Sequence, residues 1–121
     1  MAGKSIVVVD DDESMQFLVG HILKQGGYEV HAAPDGIQGM ALVRQTNPAV
    51  VILDFMLPAG GGAVFHKGLR NSPQKNMPVV ILSAAQEELV AKTVDMDGLT
   101  YFVKKPCEKT LLMAVVAQAM A

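Results

Sequence analysis

Acidic residues follow two of the most apolar runs in this 121-residue sequence. Asp10 and Asp11 come directly after the run at 6–9, and Asp54 comes directly after the run at 50–53. If these runs are neighbouring strands of a parallel sheet, their ends share one edge and the three carboxylates converge there. Like charges at such short distances repel strongly in a partly dry site, so a compensating cation is required. A hard divalent ion suits oxygen ligands, and magnesium would keep several waters in its octahedral shell.

Two further polar side chains stand at the ends of strand-like runs. Lys105 follows the run at 99–104 and is a second candidate for the cation, and Ser83 ends the run at 78–83. Each of these residues also has an ordinary structural interpretation, as a solvated turn acid, a helix cap or a surface lysine. Asp12 is interpreted in that way, as an acid that the helix dipole favours. The hypothesis of a site depends on the shared placement at strand ends.

Two periodicities alternate along the chain and predict the elements that position these residues. Runs of β-branched or alternating residues predict strands, and apolar residues at helical spacing predict the helices between them. The strands are predicted at 6–9, 28–32, 50–53, 78–83 and 99–104. Helices are predicted from about 14 to 25, 35 to 45, 86 to 96 and 110 to 120, and a short helix ending near 70 follows a glycine-rich loop at 58–62. Short connections and right-handed crossovers then give an α/β fold, a five-stranded parallel sheet with helices on both sides.

Finer predictions concern the helix faces and one strand. Ser14 is predicted to cap the first helix, and the alternation at 28–32 is typical of a half-buried or edge strand. Buried positions are predicted on three helices. They are Met15, Leu18, Val19, Ile22 and Leu23 on the first, Leu89, Val90 and Val94 on the fourth, and Leu112, Val115, Val116 and Ala119 on the last.

Composition narrows the class of protein. Half of the residues are hydrophobic and the formal net charge is −2, which favours a globular domain and argues against nucleic acid as a direct partner. The apolar runs are too short to span a membrane and no signal peptide is evident, so we expect a cytoplasmic protein without membrane association. The single cysteine excludes an internal disulfide, and the three histidines lack the spacing of a zinc site. Residues 1–121 are predicted to form one domain without an output domain.

Five markers, in order and together, resemble the receiver-domain signature of two-component response regulators. They are Val7-Val8-Val9-Asp10-Asp11, Asp54, Pro58, Ser83-Ala84 and Lys105-Pro106, with spacings of 43, 29 and 22 residues between Asp11, Asp54, Ser83 and Lys105. The resemblance covers essentially the whole chain. It implies a flavodoxin-like three-layer α/β/α fold with strand order 2-1-3-4-5, an order for which the chemotaxis receiver is a general example.

The resemblance also implies a role for each marker. Asp54 would be the phosphoacceptor, and Asp10, Asp11, Asp54 and the backbone carbonyl of Met56 would hold magnesium. Lys105 and Ser83 would bind phosphoryl oxygens. Ser83 and the aromatic residue three positions before Lys105, which is Phe102, would form a switch that reshapes the surface of the fourth helix, fifth strand and fifth helix. The Lys105-Pro106 peptide is expected to be cis.

Partners and kinetics follow from the same resemblance. The phosphoryl donor would be a sensor histidine kinase or a phosphotransfer protein, docking on the first helix near Met15 and Val19 and on loops around the acidic site. The output would be a downstream target protein or output domain. A homodimer through the fourth helix, fifth strand and fifth helix is an open alternative, as is membership of a larger regulator or hybrid kinase.

Met56 and Ala85 lack a polar group to orient water, which predicts slow self-dephosphorylation. Gly61 replaces the usual acid or amide, which predicts a more mobile loop.

Two other classes of function remain open on the same architecture. A magnesium-dependent phosphatase of the haloacid dehalogenase type would need a second aspartate two residues after Asp54, where Met56 stands. A nucleotide- or flavin-binding domain would need glycines and free N–H groups in its first turn, where residues 10–13 are all acidic.

Overall fold

The computed structural model describes residues 4–57 and 61–121. Strands and helices alternate along the chain as predicted, and most boundaries differ from the prediction by one residue. The strands are β1 (Ser5–Val9), β2 (Glu29–Ala33), β3 (Val50–Asp54), β4 (Val79–Ser83) and β5 (Thr100–Lys104). The helices are α1 (Glu13–Gln25), α2 (Gly36–Thr46), α3 (Gly61–Arg70), α4 (Glu87–Ala91) and α5 (Lys109–Met120). Within these ranges no helix is long and apolar enough to cross a membrane.

The five strands form one parallel sheet in the order β2-β1-β3-β4-β5, which confirms the predicted topology. The central strands β3 and β4 are buried along their whole length, as the continuous apolar runs predict. Strand β2 lies at one edge and is only partly buried, in agreement with its alternating pattern. In the register of β1 with β3, Val9 pairs with Leu53, so these two strands end side by side at the same edge of the sheet.

Alternate residues of the strands enter two core layers on opposite faces of the sheet. Ile6 and Val8 pack with α1 and α5, whereas Val7 and Val9 pack with α2 and α3. Both faces are therefore covered, which is the usual condition for an all-parallel sheet. The carboxyl ends of the strands remain as the rim at which polar side chains meet.

Several predictions about helix surfaces are wrong. The α1 cap is Asp12, whose carboxylate accepts the Ser14 N–H at 2.8 Å, so the chain enters the helix two residues before the predicted cap. Leu18 and Leu89 are 42% and 55% exposed, because each lies at the margin of its helix's apolar stripe. Val115 is only half-buried, although it packs against the core layer of α1 and α5.

The fourth helix is much shorter than the predicted span of 86–96. The regular helix ends at Ala91, and the Val90 carbonyl accepts both the Thr93 and the Val94 N–H at 3.0 Å in the turn that follows. Val90 and Val94 are buried, as predicted. Downstream, Gly98 takes a φ of +83°, which a continuing helix cannot accommodate.

Beyond α4, a polar network that we call the α3–β5 clasp joins α3 to the start of β5. It consists of His66, Arg70, Asp97 and Thr100. Arg70 pairs with Asp97 and also donates to the Met77 carbonyl at 2.7 Å. Burial and the Arg70 charge hold the pKa of His66 below its ordinary value, and its Nε2 lies 2.8 Å from the Thr100 hydroxyl. The clasp thus fixes the end of α3 that lies away from the acidic rim.

Candidate functional site

The structure brings the three predicted acids together at the carboxyl edge of the sheet. Asp10 is the first residue after β1, Asp11 follows it, and Asp54 ends β3. One oxygen from each carboxylate lies within 4.8 Å of the others. Asp10 and Asp54 are only 1% and 6% exposed, whereas Asp11 faces solvent. The cluster is therefore a partly dry site that opens to water on one side.

Lys105 supplies the predicted positive charge. Its Nζ lies 3.5 Å from Asp54 Oδ1 and 4.0 Å from Asp10 Oδ2. Its backbone N–H donates to the Ser83 carbonyl at 2.8 Å, which ties the end of β5 to the end of β4. The Lys105-Pro106 peptide is cis, as expected. One ammonium at these distances compensates only part of the charge of three carboxylates.

Asp10 is the acid of the cluster whose ionisation is clearly disfavoured by its surroundings. Burial, followed by the nearby charge of Asp54, raises the pKa of Asp10 to about 6, although the Asp12 N–H and Lys105 oppose that shift. A carboxyl group that resists ionisation next to another carboxylate is a group that gains from a further cation. The donor set of three carboxylates fits a hard divalent metal.

Backbone hydrogen bonds hold both buried carboxylates in position. The Asp12 N–H donates to Asp10 Oδ1 at 2.9 Å, and the Met56 N–H donates to Asp54 Oδ1 at 3.1 Å. The Gln16 side chain donates to the Asp10 carbonyl at 2.6 Å, so α1 is attached to the same turn. Sequence reasoning missed Gln16, because an amide one turn into a helix is not distinguished by any pattern.

Ser83 and Phe102 lie on neighbouring strands beside the acids. Ser83 is fully buried, and its Oγ accepts the Ala85 N–H at 3.0 Å. Phe102 is half-buried against the core layer of α2 and α3, whereas Tyr101 packs on the opposite layer. The two aromatic residues thus face opposite sides of β5. Phe102 packs on the core and is also partly open to solvent.

Two glycines bring the start of α3 against the site, a feature that sequence reasoning assigned to a loop. The predicted loop residues 58–60 lie outside the described residues, but Gly61 and Gly62 form the first turn of α3. A Cβ at Gly62 would lie 2.9 Å from the Asp54 carbonyl oxygen, and Gly61 has a φ of +73°. The Gly62 N–H donates to the Phe55 carbonyl at 2.8 Å. These glycines therefore serve close backbone packing, which a glycine run alone does not reveal.

Comparison with known proteins agrees with this arrangement. The sequence pattern of the response regulator receiver domain family matches residues 6–117. The chain is 30% identical over 116 residues to the CAI-1 autoinducer sensor kinase/phosphatase CqsS of Vibrio cholerae serotype O1, which covers 94% of this chain but 17% of that kinase. The structure is similar to chemotaxis protein CheY4 of Vibrio cholerae, with a TM-score of 0.89, 27% identity, and 98% and 99% of the two chains covered.

A third protein has the same fold at lower identity. It is the receiver domain of sensor histidine kinase PA1611 from Pseudomonas aeruginosa, with a TM-score of 0.88, 22% identity and 98% of each chain covered. That receiver domain has a magnesium ion coordinated in its active site cleft.

The fold, the acidic rim and the family pattern together define the class of protein. This chain belongs to the response regulator receiver domain family, whose members are signalling domains. It is a phosphoacceptor domain of two-component signalling, and neither the phosphatase nor the nucleotide-binding alternative is favoured.

Proposed function

We propose that Asp54 is the residue that accepts the phosphoryl group. The observation that supports this most directly is its placement: a nearly buried carboxylate at a strand end, 3.5 Å from an ammonium and within 4.8 Å of two further carboxylates. An oxygen of Asp54 would form a bond to phosphorus while the bond from phosphorus to the donor breaks, and the electron pair of that bond would leave with the donor. The product is an aspartyl phosphate.

Asp10, Asp11 and Asp54 would hold magnesium, with the carbonyl of Met56 as a further ligand. The fit is supported by the oxygen-only donor set and by the burial-raised pKa of Asp10, because a buried carboxyl group beside another carboxylate gains from a further cation. The PA1611 receiver domain, with magnesium in its cleft, is a precedent on the same fold. When bound, the ion neutralises charge on the transferring group and orients it.

Lys105 and Ser83 would stabilise the new anion from the β4–β5 side. The ammonium of Lys105 already reaches Asp54, so it can bind a phosphoryl oxygen attached there. The Ser83 hydroxyl uses its oxygen as acceptor for Ala85 and keeps its hydrogen for donation. Movement of Ser83 toward the phosphoryl group would leave space for Phe102 to turn inward and reshape the α4-β5-α5 surface.

The donor would be a sensor histidine kinase or a phosphotransfer protein, acting in the cytoplasm. The predicted docking contact at Val19 is wrong, because Val19 is fully buried and Met15 packs against the core. The exposed apolar residues of α1 are Phe17 and Leu18, at 77% and 42%. They are the better candidates for a donor contact. A downstream target and a homodimer through α4-β5-α5 stay predictions.

Covalent labelling tests the proposal. With acetyl phosphate and magnesium, we expect the intact mass to rise by one phosphoryl group, and we expect Asp54→Asn to abolish that rise. Asp12→Asn is the matched control, because Asp12 is an exposed acid that caps α1 and should leave labelling in place. Labelling that survives in Asp54→Asn would place the acceptor elsewhere. Turnover of a free phosphorylated substrate without a labelled intermediate would favour a catalytic domain instead.

A further inference from the structure

Gln16, in the first turn of α1, makes two contacts with the acidic turn that follows β1. Its backbone N–H donates to the Asp12 carbonyl at 3.0 Å, which is a hydrogen bond of the helix itself. Its side-chain Nε2 donates to the Asp10 carbonyl at 2.6 Å. The helix does not need this second contact, because Asp12 already caps α1 through the Ser14 N–H. The side-chain contact therefore acts on the turn and not on the helix.

The carbonyl that Gln16 holds belongs to the peptide unit that joins Asp10 to Asp11. A peptide unit is planar, so a hydrogen bond to its oxygen constrains ψ of Asp10 and φ of Asp11 together. Asp10 is also held from other directions, because its N–H donates to the Ala33 carbonyl at 3.0 Å and its carboxylate accepts the Asp12 N–H at 2.9 Å. The direction in which the chain presents Asp11 depends on the peptide plane.

Asp11 is the acid of the cluster whose carboxylate has the least support. The carboxylate of Asp54 accepts the Met56 N–H at 3.1 Å and lies 3.5 Å from Lys105 Nζ. Within residues 4–57 and 61–121, no side-chain hydrogen bond and no ion pair reaches the carboxylate of Asp11, which faces solvent. One of its oxygens nevertheless lies within 4.8 Å of the other two acids. The backbone must supply that placement.

We propose that Gln16 is a positioning residue for the metal ligand Asp11. By holding the peptide plane between Asp10 and Asp11, the amide of Gln16 directs the Asp11 carboxylate toward the two buried acids. The amide bonds a backbone carbonyl and not a carboxylate, so its role is orientation and not ligation. The inference rests on the magnesium site proposed above and deepens it. Loss of a group that orients a metal ligand typically weakens metal binding about 10- to 100-fold.

Magnesium affinity tests the role of the side-chain donor. Gln16→Met removes the N–H and keeps an unbranched side chain that suits a helix. Amide spectra of the isotopically labelled domain, recorded during titration with magnesium chloride, give the affinity without any phosphoryl transfer. We expect Gln16→Met to weaken magnesium binding about tenfold. Labelling of Asp54 by acetyl phosphate should then need more magnesium and should approach the wild-type rate at saturation.

Gln38→Met is the matched control. Gln38 stands in the first turn of α2, and its Nε2 donates to Asp35 Oδ2 at 3.0 Å. This is also an amide contact with the turn before a helix, but Asp35 is not part of the acidic cluster. We expect Gln38→Met to bind magnesium as the wild type does.

A double-mutant cycle separates positioning of Asp11 from a general effect on the site. Asp11→Asn keeps an oxygen at that position and removes the charge that Gln16 is proposed to direct. In this background Gln16→Met should weaken magnesium binding by less than about threefold. In the Asp54→Asn background the effect should stay near tenfold, about the same as in the wild type, since Asp54 lies on a different strand.

Two results would overturn the inference and leave the magnesium site standing. The first is equal magnesium affinity of wild type and Gln16→Met; a lowered urea midpoint of that variant would then assign Gln16 a role in stability alone. The second is an undiminished effect of Gln16→Met in the Asp11→Asn background, because Gln16 would then act through another ligand. A wild type that binds no magnesium would refute the proposed metal site and this inference together.

Discussion

At the scale of single residues, Asp10 has the least favourable environment in the site. Its carboxyl group is buried beside Asp54, and burial is the main cause that raises its pKa to about 6. Because this value lies above the ordinary 3.8, ionised Asp10 lowers the stability of the metal-free domain at neutral pH. The destabilisation diminishes as the pH falls from 6 toward 4, and it disappears well below 3.8, where Asp10 is protonated in both folded and unfolded chains.

We therefore expect Asp10→Asn to raise the free energy of unfolding of the metal-free domain at pH 7 by about 2 kcal/mol. Urea unfolding with a chelator measures this, and the difference from wild type should narrow as the pH falls toward 4. Asp11→Asn is the matched control, because Asp11 is exposed and should change stability less. Magnesium should stabilise the wild type more than Asp10→Asn. A variant less stable than wild type at pH 7 would contradict this account.

Met56 and Ala85 flank the site without a polar group that could orient water. Met56 is 70% exposed and two residues after Asp54, so its side chain is free to meet an attacking water but offers it no hydrogen bond. We expect the phosphorylated domain to survive far longer than seconds in magnesium. Met56→Asn should shorten the lifetime by roughly an order of magnitude, measured by loss of the phosphorylated mass. Decay of the wild type within seconds would refute this idea.

The main side chains of the site were predictable because strand ends are visible in the sequence. Asp10, Asp54 and Lys105 each follow an apolar run, and parallel strands bring such residues to one edge. Gln16 and Gly62 were not predictable, since their contacts depend on the angle at which α1 and α3 leave the sheet. Spacing along the chain does not determine that angle.

At the scale of elements, the helices pack on the sheet with very different tolerance for an added methyl group. A Cβ at Gly39 in α2 would lie 2.7 Å from Val9 Cγ2 and 3.2 Å from the Phe65 ring. A Cβ at Gly20 in α1 would meet only Val30, at an ordinary 3.7 Å. The two positions form a natural pair, because both glycines are helical and buried.

We expect Gly39→Ala to destabilise the domain by about 1–3 kcal/mol, since α2 must move away from β1. Gly20→Ala should instead stabilise it by about 0.5–1 kcal/mol, because alanine has the higher helix propensity and the space exists. Denaturant unfolding of both variants measures the contrast. If both substitutions shift stability in the same direction, the close packing of α2 on Val9 is not the controlling contact.

Element order was predictable and some element details were not. Each strand and helix was found from periodicity, because burial on a sheet imposes it along the whole element. The length of α4 was not found, since the chain after Ala91 follows a turn at Thr93 and the tether of Asp97 to Arg70. A contact between residues 27 positions apart has no local signature.

At the scale of the whole molecule, the α3–β5 clasp links two elements that are distant in sequence. Hydrogen bonds from Arg70, Thr100 and Leu99 hold the pKa of Asp97 at about 2, although burial opposes them. Because this value lies below the ordinary 3.8, the charge of Asp97 contributes stability above pH 4 that is lost as the pH falls toward 2.

Asp97→Asn should lower the free energy of unfolding at pH 7 by about 1 kcal/mol, after allowance for the solvent that screens the pair. The gap from wild type should narrow as the pH falls from 4 toward 2. Asp95→Asn, an exposed acid two residues away, provides the control and should change little. A gap that persists unchanged at the lowest measurable pH would show that Asp97 acts through packing and not through charge.

Both ends of α3 are held by polar contacts, Gly62 to the Phe55 carbonyl and Arg70 to the residues around Thr100. A helix that is held at both ends resists tilting and sliding, so we expect α3 to keep its position beside β3. On the other flank, α4 spans only five residues and is followed by a run of turns. The two sides of Asp54 should therefore differ in stiffness. A structural change at Asp54 should displace α4 more easily than α3.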